Sequence, residues 1–318
     1  MKILFMGTPD FAVGTLEACI AAHEVVAVFT QPDKPKGRGN TVTPPPIKVV
    51  AQNHHIPVLQ PDKIRKGDWP DLIRSYAPDV IVVVAYGQLL SQEILDIPKF
   101  GCINVHASLL PKYRGAAPIN WAIAHGETVT GVTTMMMDAG IDTGDMLLKS
   151  EVTITENMDA QALHDVLAKA GSSLLIKTLE QVESGTLKRE KQDDSASCYA
   201  PMMNKEISKI DWQMTATEIR NRVRAFNPWP IAHTTLGDYP LKVFEASIIK
   251  LDEAIDWQRN IDKAVNVGTI VYTEKIGIYV KTSDGFIRID ALQWGSHKRM
   301  SSQAFLLGYE VVIGTELK

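Results

Sequence analysis

The sequence has few cysteines, no long apolar run and little net charge. Its three cysteines, Cys19, Cys102 and Cys198, are far apart and form no Cys-x-x-Cys pair, which argues against a disulfide framework or a cysteine-rich zinc site. No segment approaches the roughly 20 apolar residues that cross a bilayer, and no signal-peptide core follows Met1. A net charge of −4 excludes polyanion binding by bulk electrostatics. We therefore expect a cytoplasmic protein without a membrane segment, which contacts nucleic acid only through local patches.

Two nucleotide-binding signatures are also missing. The first predicted strand, residues 2–6, is followed by "GTPDFAVG", which is neither Gly-x-Gly-x-x-Gly nor a Gly-x-x-x-x-Gly-Lys-Ser/Thr phosphate loop. We interpret this segment as a tight turn from strand to helix with Pro9 in the first helical turn. NAD and ATP chemistry are therefore not favoured.

Two patterns of secondary structure divide the chain. Strands and helices alternate in the first part, and the β-branched run at 79–85 (DVIVVVA) is typical of a strand covered on both faces. This predicts an α/β unit of Rossmann-like type, with a mostly parallel sheet and helices on both faces. The polar segment near residue 190 indicates a linker. Short strands separated by Gly, Asp and Asn follow, and they predict a smaller antiparallel barrel or sandwich.

A predicted strand at 101–106 places Asn104 and His106 on the same face, because side chains alternate along a strand. Both lie at its carboxyl end, where open α/β sheets bind ligands. Two convergent donors there could stabilise an oxygen that gains negative charge in a transition state. A structural pair that bonds a nearby loop explains the two residues equally well.

The segment "MMMDAGIDTGDMLLKS" offers three carboxylates in a Gly-rich loop: Asp138, Asp142 and Asp145. One of them beside His106 would orient the ring, hold it protonated and accept a proton from an attacking amine. Asp also caps turns, and we expect at least one of the three to do only that.

These residues together resemble a known family. "INVHASLLPKYRGAAPIN" and "DAGIDTGDM", with "FMGTPDFA", "FTQPDKPKGRG", "VVVAYGQLL" and "RAFNPWP", are similar to the formyltransferases that use 10-formyltetrahydrofolate. The resemblance implies direct transfer to an amine, without a metal or a covalent enzyme intermediate. Asn104 and His106 would stabilise the oxyanion, and Asp142 would support His106 and aid proton removal. The four segments "FMGTPDFA", "FTQPDKPKGRG", "VVVAYGQLL" and "RAFNPWP" make the resemblance closer and imply initiator methionyl-tRNA as the acceptor.

The resemblance also implies binding residues and domain limits. The folate-binding set comprises Ser108, Leu109, Leu110, Pro111, Tyr86, Gly87 and Gln88. Core packing is an equally good explanation for the residues of 86–90. The tRNA-binding set comprises Lys34, Lys36, Arg38, Lys48, Lys298 and Arg299. From composition alone the 31–46 segment is an irregular, solvated loop. We expect a catalytic domain at 1–188, a linker at 189–206 and an OB-like tRNA-binding domain at 207–318.

Other acceptors and other classes of protein remain open at this point. Glycinamide ribonucleotide and amino-sugar formyltransferases and formyltetrahydrofolate hydrolases share the Asn-x-His and Asp-Thr-Gly blocks. A catalytically silent tRNA- or folate-binding protein is a further alternative, although the intact Asn104, His106 and Asp142 disfavour it. No obligatory protein partner is inferred.

Overall fold

The computed structural model describes residues 1–36, 41–249 and 265–318. These residues group into two compact units, of which the first comprises Met1–Pro118, Val129–Thr153 and His164–Pro201. The second comprises Ile119–Thr128, Ile154–Leu163 and Met202–Lys318. Two short segments that interrupt the first unit in sequence thus group with the second.

The first unit contains a seven-stranded sheet. In chain order its strands are β1 (Lys2–Gly7), β2 (Glu24–Phe29), β5 (Val58–Leu59), β6 (Val80–Val84), β7 (Cys102–His106), β8 (Val129–Met136) and β9 (Met146–Thr153). Their order in the sheet is β5-β2-β1-β6-β7-β8-β9. All pairs from β5 to β7 are parallel, and β8 and β9 add antiparallel strands at one edge. The predicted mostly parallel, Rossmann-like sheet is confirmed.

Burial explains why these segments form strands. Every residue of β6 (VIVVV) is buried, as its unbroken β-branched sequence predicts for a strand covered on both faces. The edge strand β9 instead alternates between partly buried and exposed residues over most of its length. The side chains of Leu4, Phe29, Ile81 and Val83 belong to one core cluster.

Helices follow the strands of this sheet. They are α1 (Val13–Ala22), α2 (Pro46–Asn53), α3 (Trp69–Ser75), α4 (Gln92–Leu95), α5 (Pro118–Ala124) and α6 (Ala160–Glu183). A 3-10 turn at Asp10–Ala12 precedes α1, with Pro9 at its amino-terminal cap, so the predicted tight connection is confirmed. Helix α3 begins at Trp69, shortly after Gly67, whose left-handed φ of 91° is incompatible with a regular helix.

The prediction of an irregular loop at 31–46 is wrong in part. Residues Lys34–Lys36 (β3) and Thr41–Thr43 (β4) form a two-stranded antiparallel hairpin, in which Lys34 pairs with Thr43. Strand β3 (KPK) and strand β4 (TVT) have three residues each, which is too short for hydrophobic alternation to reveal a strand.

The second unit contains an antiparallel sheet, as predicted. Its strands are β10 (His233–Leu236), β11 (Tyr239–Ile248), β12 (Ile270–Glu274), β13 (Gly277–Lys281), β14 (Phe286–Trp294) and β15 (Met300–Ser301). Their order is β10-β11-β14-β13-β12, with β15 also paired to β14. Helices α7 (Ala216–Ala225) and α8 (Ser302–Gly308) also belong to this unit, as does nearly all of α5.

The sequence also raises the questions of disulfides, membrane-spanning segments and metal sites. Cys19, Cys102 and Cys198 are all free thiols, and burial raises the pKa of Cys19 and of Cys102 to about 12. Of the helices within 1–36, 41–249 and 265–318, none is long and apolar enough to cross a membrane. The same ranges contain no group of three or more His, Cys, Asp or Glu side chains arranged to hold a metal ion.

Candidate active site at the carboxyl end of the central sheet

Strand β7 carries two polar side chains at its carboxyl end. Asn104 pairs with Val83 of β6 and with Met135 of β8, and His106 pairs with Thr133 of β8. Asn104 is the partly exposed residue of β7, and the others are buried, including His106 at 6% exposure. The predicted placement of both residues at the end of a strand is confirmed.

The His106 ring lies between two acceptor oxygens. Its Nε2 is 2.8 Å from the backbone oxygen of Tyr113, and its Nδ1 is 3.6 Å from Oδ2 of Asp142. A backbone carbonyl only accepts hydrogen bonds, so Nε2 must carry a proton and donate. Nδ1 is the nitrogen that faces the Asp142 carboxylate.

Asp142 joins His106 to Asn104. Its Oδ1 accepts a hydrogen bond of 3.4 Å from Nδ2 of Asn104, and its Oδ2 accepts one of 2.8 Å from the backbone N–H of Gly115. Its backbone has a left-handed φ of 54°, which is uncommon outside glycine. The structure thus brings together the three residues whose catalytic role the sequence predicts.

The other two aspartates of this loop differ from Asp142. Asp138 is exposed, and its Oδ1 accepts hydrogen bonds from the N–H of Gly140 at 3.0 Å and from the hydroxyl of Thr143 at 2.7 Å. Asp138 is therefore a turn-capping residue, as expected for at least one of the three. Asp145 contributes its backbone oxygen, which accepts from the N–H of Met136 at 2.8 Å.

The Ser108–Pro111 turn follows β7 directly and is largely built into the core. Ser108 is fully buried, and its hydroxyl donates to the backbone oxygen of Lys112 at 2.6 Å. Leu110 is buried in a small cluster with Met135 and Met146. Within this turn, Leu109 and Pro111 are the residues that keep partial exposure.

The Tyr86–Gln88 segment follows the neighbouring strand β6. Tyr86 packs in the main core, burial raises the pKa of its hydroxyl, and no partner for that hydroxyl lies among the described residues. The side chain of Gln88 accepts from the N–H of Ile64 and donates to the backbone oxygen of Pro61. Gly87 has a left-handed φ of 81°, and a Cβ built on it would meet only Nε2 of Gln31, at 3.7 Å. The segment thus offers open backbone at Gly87 beside two anchored side chains.

The predicted tRNA contacts of the first unit lie on or near the hairpin. Lys34 and Lys36 are on β3, and Lys34 is exposed. Arg38 lies outside the described residues. The charge of Lys48 already has a partner, because its ammonium is 2.8 Å from Asp33 Oδ2 and donates to Oε1 of Gln60 at 2.9 Å.

The predicted contacts of the second unit are both exposed. Arg299 donates to Oε1 of Glu245 at 2.6 Å, and its guanidinium lies 4.6 Å from the centre of the Phe244 ring. Lys298 precedes it in the turn before β15. The two side chains thus differ, since the charge of Arg299 already has an acidic partner.

Several residues around this site were missed by the sequence analysis. The backbone of Tyr113 and Gly115 bonds His106 and Asp142, and the side chain of Gln192 bonds the loop that carries Asp142. Contacts made by the backbone cannot be predicted from residue type, because nearly all residues have the same backbone groups. The only signal for Gln192 was its place in a polar segment, and that signal indicated a linker.

Comparison with known proteins identifies the family. The family model described as formyl transferase matches residues 1–179, and the model of the formyl transferase C-terminal domain matches residues 202–310. The chain belongs to the formyl transferase family. This agrees with the resemblance carried by the Asn104 and Asp142 blocks of the sequence.

Relatives of this formyl transferase are similar over its whole length. A methionyl-tRNA formyltransferase of Geobacter metallireducens is 50% identical over 318 residues, covering 100% of this chain and 98% of the relative. A methionyl-tRNA formyltransferase of Clostridium perfringens is 49% identical over 319 residues, covering 100% of both chains.

Solved structures show the same fold at low identity. A sugar 3N-formyl transferase, crystallised in the presence of dTDP and 5-N-formyl-THF, has a TM-score of 0.65 and 21% identity, covering 94% of this formyl transferase and 99% of that chain. A methionyl-tRNA formyltransferase from Clostridium thermocellum has a TM-score of 0.54 and 16% identity, covering 78% and 94%.

Proposed function

We propose that this chain transfers the formyl group of 10-formyltetrahydrofolate to the α-amine of methionyl-tRNA, the initiator tRNA of translation. The observation that carries the proposal is the convergence of Asn104, His106 and Asp142 at the carboxyl end of β7. The acceptor rests on relatives named methionyl-tRNA formyltransferase that are 47–50% identical over nearly the whole chain. Small-molecule formyltransferases and formyltetrahydrofolate hydrolases are not favoured, because the relatives that are 49–50% identical over the whole chain are named methionyl-tRNA formyltransferase.

The three residues would have distinct roles. The α-amine attacks the formyl carbon of the co-substrate and forms a new C–N bond. The bond between that carbon and the folate nitrogen then breaks, and tetrahydrofolate leaves after its nitrogen takes up the proton that the amine gave up. Asn104 Nδ2 and His106 Nδ1 would donate hydrogen bonds to the formyl oxygen as it gains negative charge. Because Nε2 of His106 bonds the backbone oxygen of Tyr113, Nδ1, which lies beside Asp142, is the ring nitrogen that would donate to the formyl oxygen. Asp142 would hold the imidazolium charge and accept the proton that the amine releases.

The residues next to these strands fit a folate co-substrate. A flat pterin ring needs apolar walls and accessible backbone groups. The open backbone at Gly87 and the partly exposed Leu109 and Pro111 follow neighbouring parallel strands, and they meet this need. Tyr86, Ser108 and Leu110 are buried, so we propose that they support the walls of the folate site from the core. Gln88 would fix the position of its segment through its hydrogen bond with the N–H of Ile64.

We propose that basic residues outside the catalytic site bind the tRNA, namely Lys34, Lys36, Arg38, Lys48, Lys298 and Arg299. The exposed lysines suit phosphate contacts, because such contacts need only an accessible cation. In this proposal residues 1–188 form the catalytic domain, 189–206 connect the domains, and 207–318 form an OB-like tRNA-binding domain. The protein would act in the cytoplasm without an obligatory protein partner.

The test is a formyl-transfer assay with three acceptors. Purified protein and 10-formyltetrahydrofolate are mixed with methionyl-tRNA, with glycinamide ribonucleotide or with no acceptor. Formylated tRNA is followed by gel mobility, and folate by absorbance. Product with methionyl-tRNA alone supports the proposal. Consumption of folate without formylated tRNA would keep the chemistry at Asn104, His106 and Asp142 but overturn the acceptor.

A further inference from the structure

The side chain of Gln192 is attached to the loop that carries Asp142. Its Nε2 donates one hydrogen bond to the backbone oxygen of Asp142 and another to the backbone oxygen of Gly144, each at 2.8 Å. Both hydrogens of the amide are therefore used on the two ends of one three-residue turn. We propose that Gln192 is a positioning residue, which fixes this turn and thereby holds the Asp142 carboxylate against His106.

Arg114 fixes the orientation of the Gln192 amide. Nε of Arg114 donates to Oε1 of Gln192 at 2.9 Å, and the same guanidinium bonds Oδ1 of Asp194 at 2.7 Å. A guanidinium only donates and a backbone carbonyl only accepts, so a flipped amide would face a mismatched partner on every side. The side chain of Arg114 is only 12% exposed, which limits competition from water.

The turn held by Gln192 needs such support. Asp142 has a left-handed φ of 54°, which is uncommon for a residue other than glycine. A strained conformation persists only where the surroundings define it. Gly144 lies close against β8, since a Cβ there would collide with the backbone oxygen of Met136. Gln192 therefore joins the backbone of Asp142 to that of Gly144, which packs closely against β8.

The segment that contains Gln192 also contacts the other side of the site. The backbone of Glu190 exchanges two hydrogen bonds with Met146, at 2.8 and 2.9 Å. The backbone oxygen of Cys198 accepts from the N–H of Arg114 at 2.9 Å, and its Sγ accepts from the N–H of Tyr113 at 3.2 Å. Tyr113 in turn accepts from His106. One segment thus supports both His106 and Asp142, although neither belongs to it.

The expected change in kcat rests on the proposed function, whereas the expected change in the structure of the Asp142 turn does not. Gln192→Glu keeps the length and the acceptor for Arg114, while it removes both donated hydrogens and points a negative charge at two carbonyl oxygens. Displacement of a reacting group by about 1 Å can cost 10²-fold in rate. We expect kcat to fall by about 10- to 100-fold, with each KM within about threefold, because in the proposed mechanism the Asp142 carboxylate acts in the transition state.

The second readout is amide hydrogen exchange at Gly115, whose N–H donates to Asp142 Oδ2. We expect exchange at Gly115 to become at least about tenfold faster in Gln192→Glu, with the amides of β6 unchanged. Gln52→Glu makes the same chemical change at an exposed position of α2 and is the matched control. If the introduced charge prevents folding, Gln192→Met removes the same two donors without it.

The outcomes separate the two proposals. A lower kcat with faster exchange at Gly115 alone supports positioning by Gln192. A kcat within twofold of the parent, or unchanged exchange at Gly115, overturns it. Loss of protection throughout the sheet also overturns it, because Gln192 would then be a general structural residue. If the parent protein formylates no methionyl-tRNA, the proposed function fails, while exchange at Gly115 still decides whether Gln192 holds Asp142.

Discussion

Replacing Asp142 by asparagine tests the proposed chemistry most directly. The carboxylate has two acceptor oxygens, of which Oδ1 meets Asn104 and Oδ2 meets the N–H of Gly115 and His106. An amide of the same shape has only one acceptor oxygen. In either orientation its NH₂ group faces a donor, either Asn104 or Gly115, and the negative charge beside His106 is lost.

The size of the effect follows from the role of the carboxylate. A positioned proton acceptor contributes about 10²- to 10⁴-fold to rate. We therefore expect kcat of Asp142→Asn to fall by about 10³-fold, which corresponds to about 4 kcal/mol of transition-state stabilisation at 25 °C. The KM for methionyl-tRNA should stay within about threefold, because the lost interaction belongs to the transition state.

Asp138→Asn is the matched control in the same loop. Both hydrogen bonds of Asp138 end on Oδ1, and an asparagine oxygen can accept both. We expect its kcat within about threefold of the parent. Initial rates of formylation would be measured with both substrates saturating, and tRNA binding by filter retention. The reasoning is refuted if Asp142→Asn keeps more than a tenth of kcat, or if Asp138→Asn loses as much.

Three further predictions concern charge and stability. Lys34→Ala should reduce the slope of log affinity for tRNA against log salt by about 1, and Lys48→Met should reduce it by less, because the Lys48 ammonium is shared with Asp33; an unchanged slope in Lys34→Ala would contradict the proposed phosphate contact. Hydrogen bonds from Gln60 and Lys48 hold the pKa of Asp33 below its ordinary value of 3.8. Its contribution to stability is therefore complete above that value and is lost as the pH falls through the folded-state pKa, so unfolding midpoints of Asp33→Asn should show a weaker acid dependence than the parent. Thr215→Ala removes the cap of α7 and should cost about 1 kcal/mol in urea unfolding; an unchanged midpoint would contradict the cap.

The sequence predicts those parts of the fold in which one local pattern dominates. The continuous β-branched run of β6 and the alternation of β14 both indicate strands, and the structure has strands at Val80–Val84 and Phe286–Trp294. The hairpin of β3 and β4 was missed, because it is held by backbone pairing and by the contact between Asp33 and Lys48. Such contacts join residues through space and leave no periodic pattern.

In the site, too, some features could be predicted from the sequence and others could not. Asn104 and His106 could be placed from sequence, since alternation along a strand puts residues two apart on one face. The family resemblance selected Asp142 among three aspartates, and composition alone did not. The role of Asp138 as a turn cap appears only in its contacts with Gly140 and Thr143.

What the sequence determined by itself is the order of strands and helices, the two residues at the end of β7 and the family. Residue type and spacing along the chain encode these features. Only the tertiary structure decided that Asp142 meets both Asn104 and His106, and that Gln192 reaches back across 50 residues to hold its loop. Those contacts depend on backbone atoms and on chain paths, and every polar segment has the same backbone donors and acceptors.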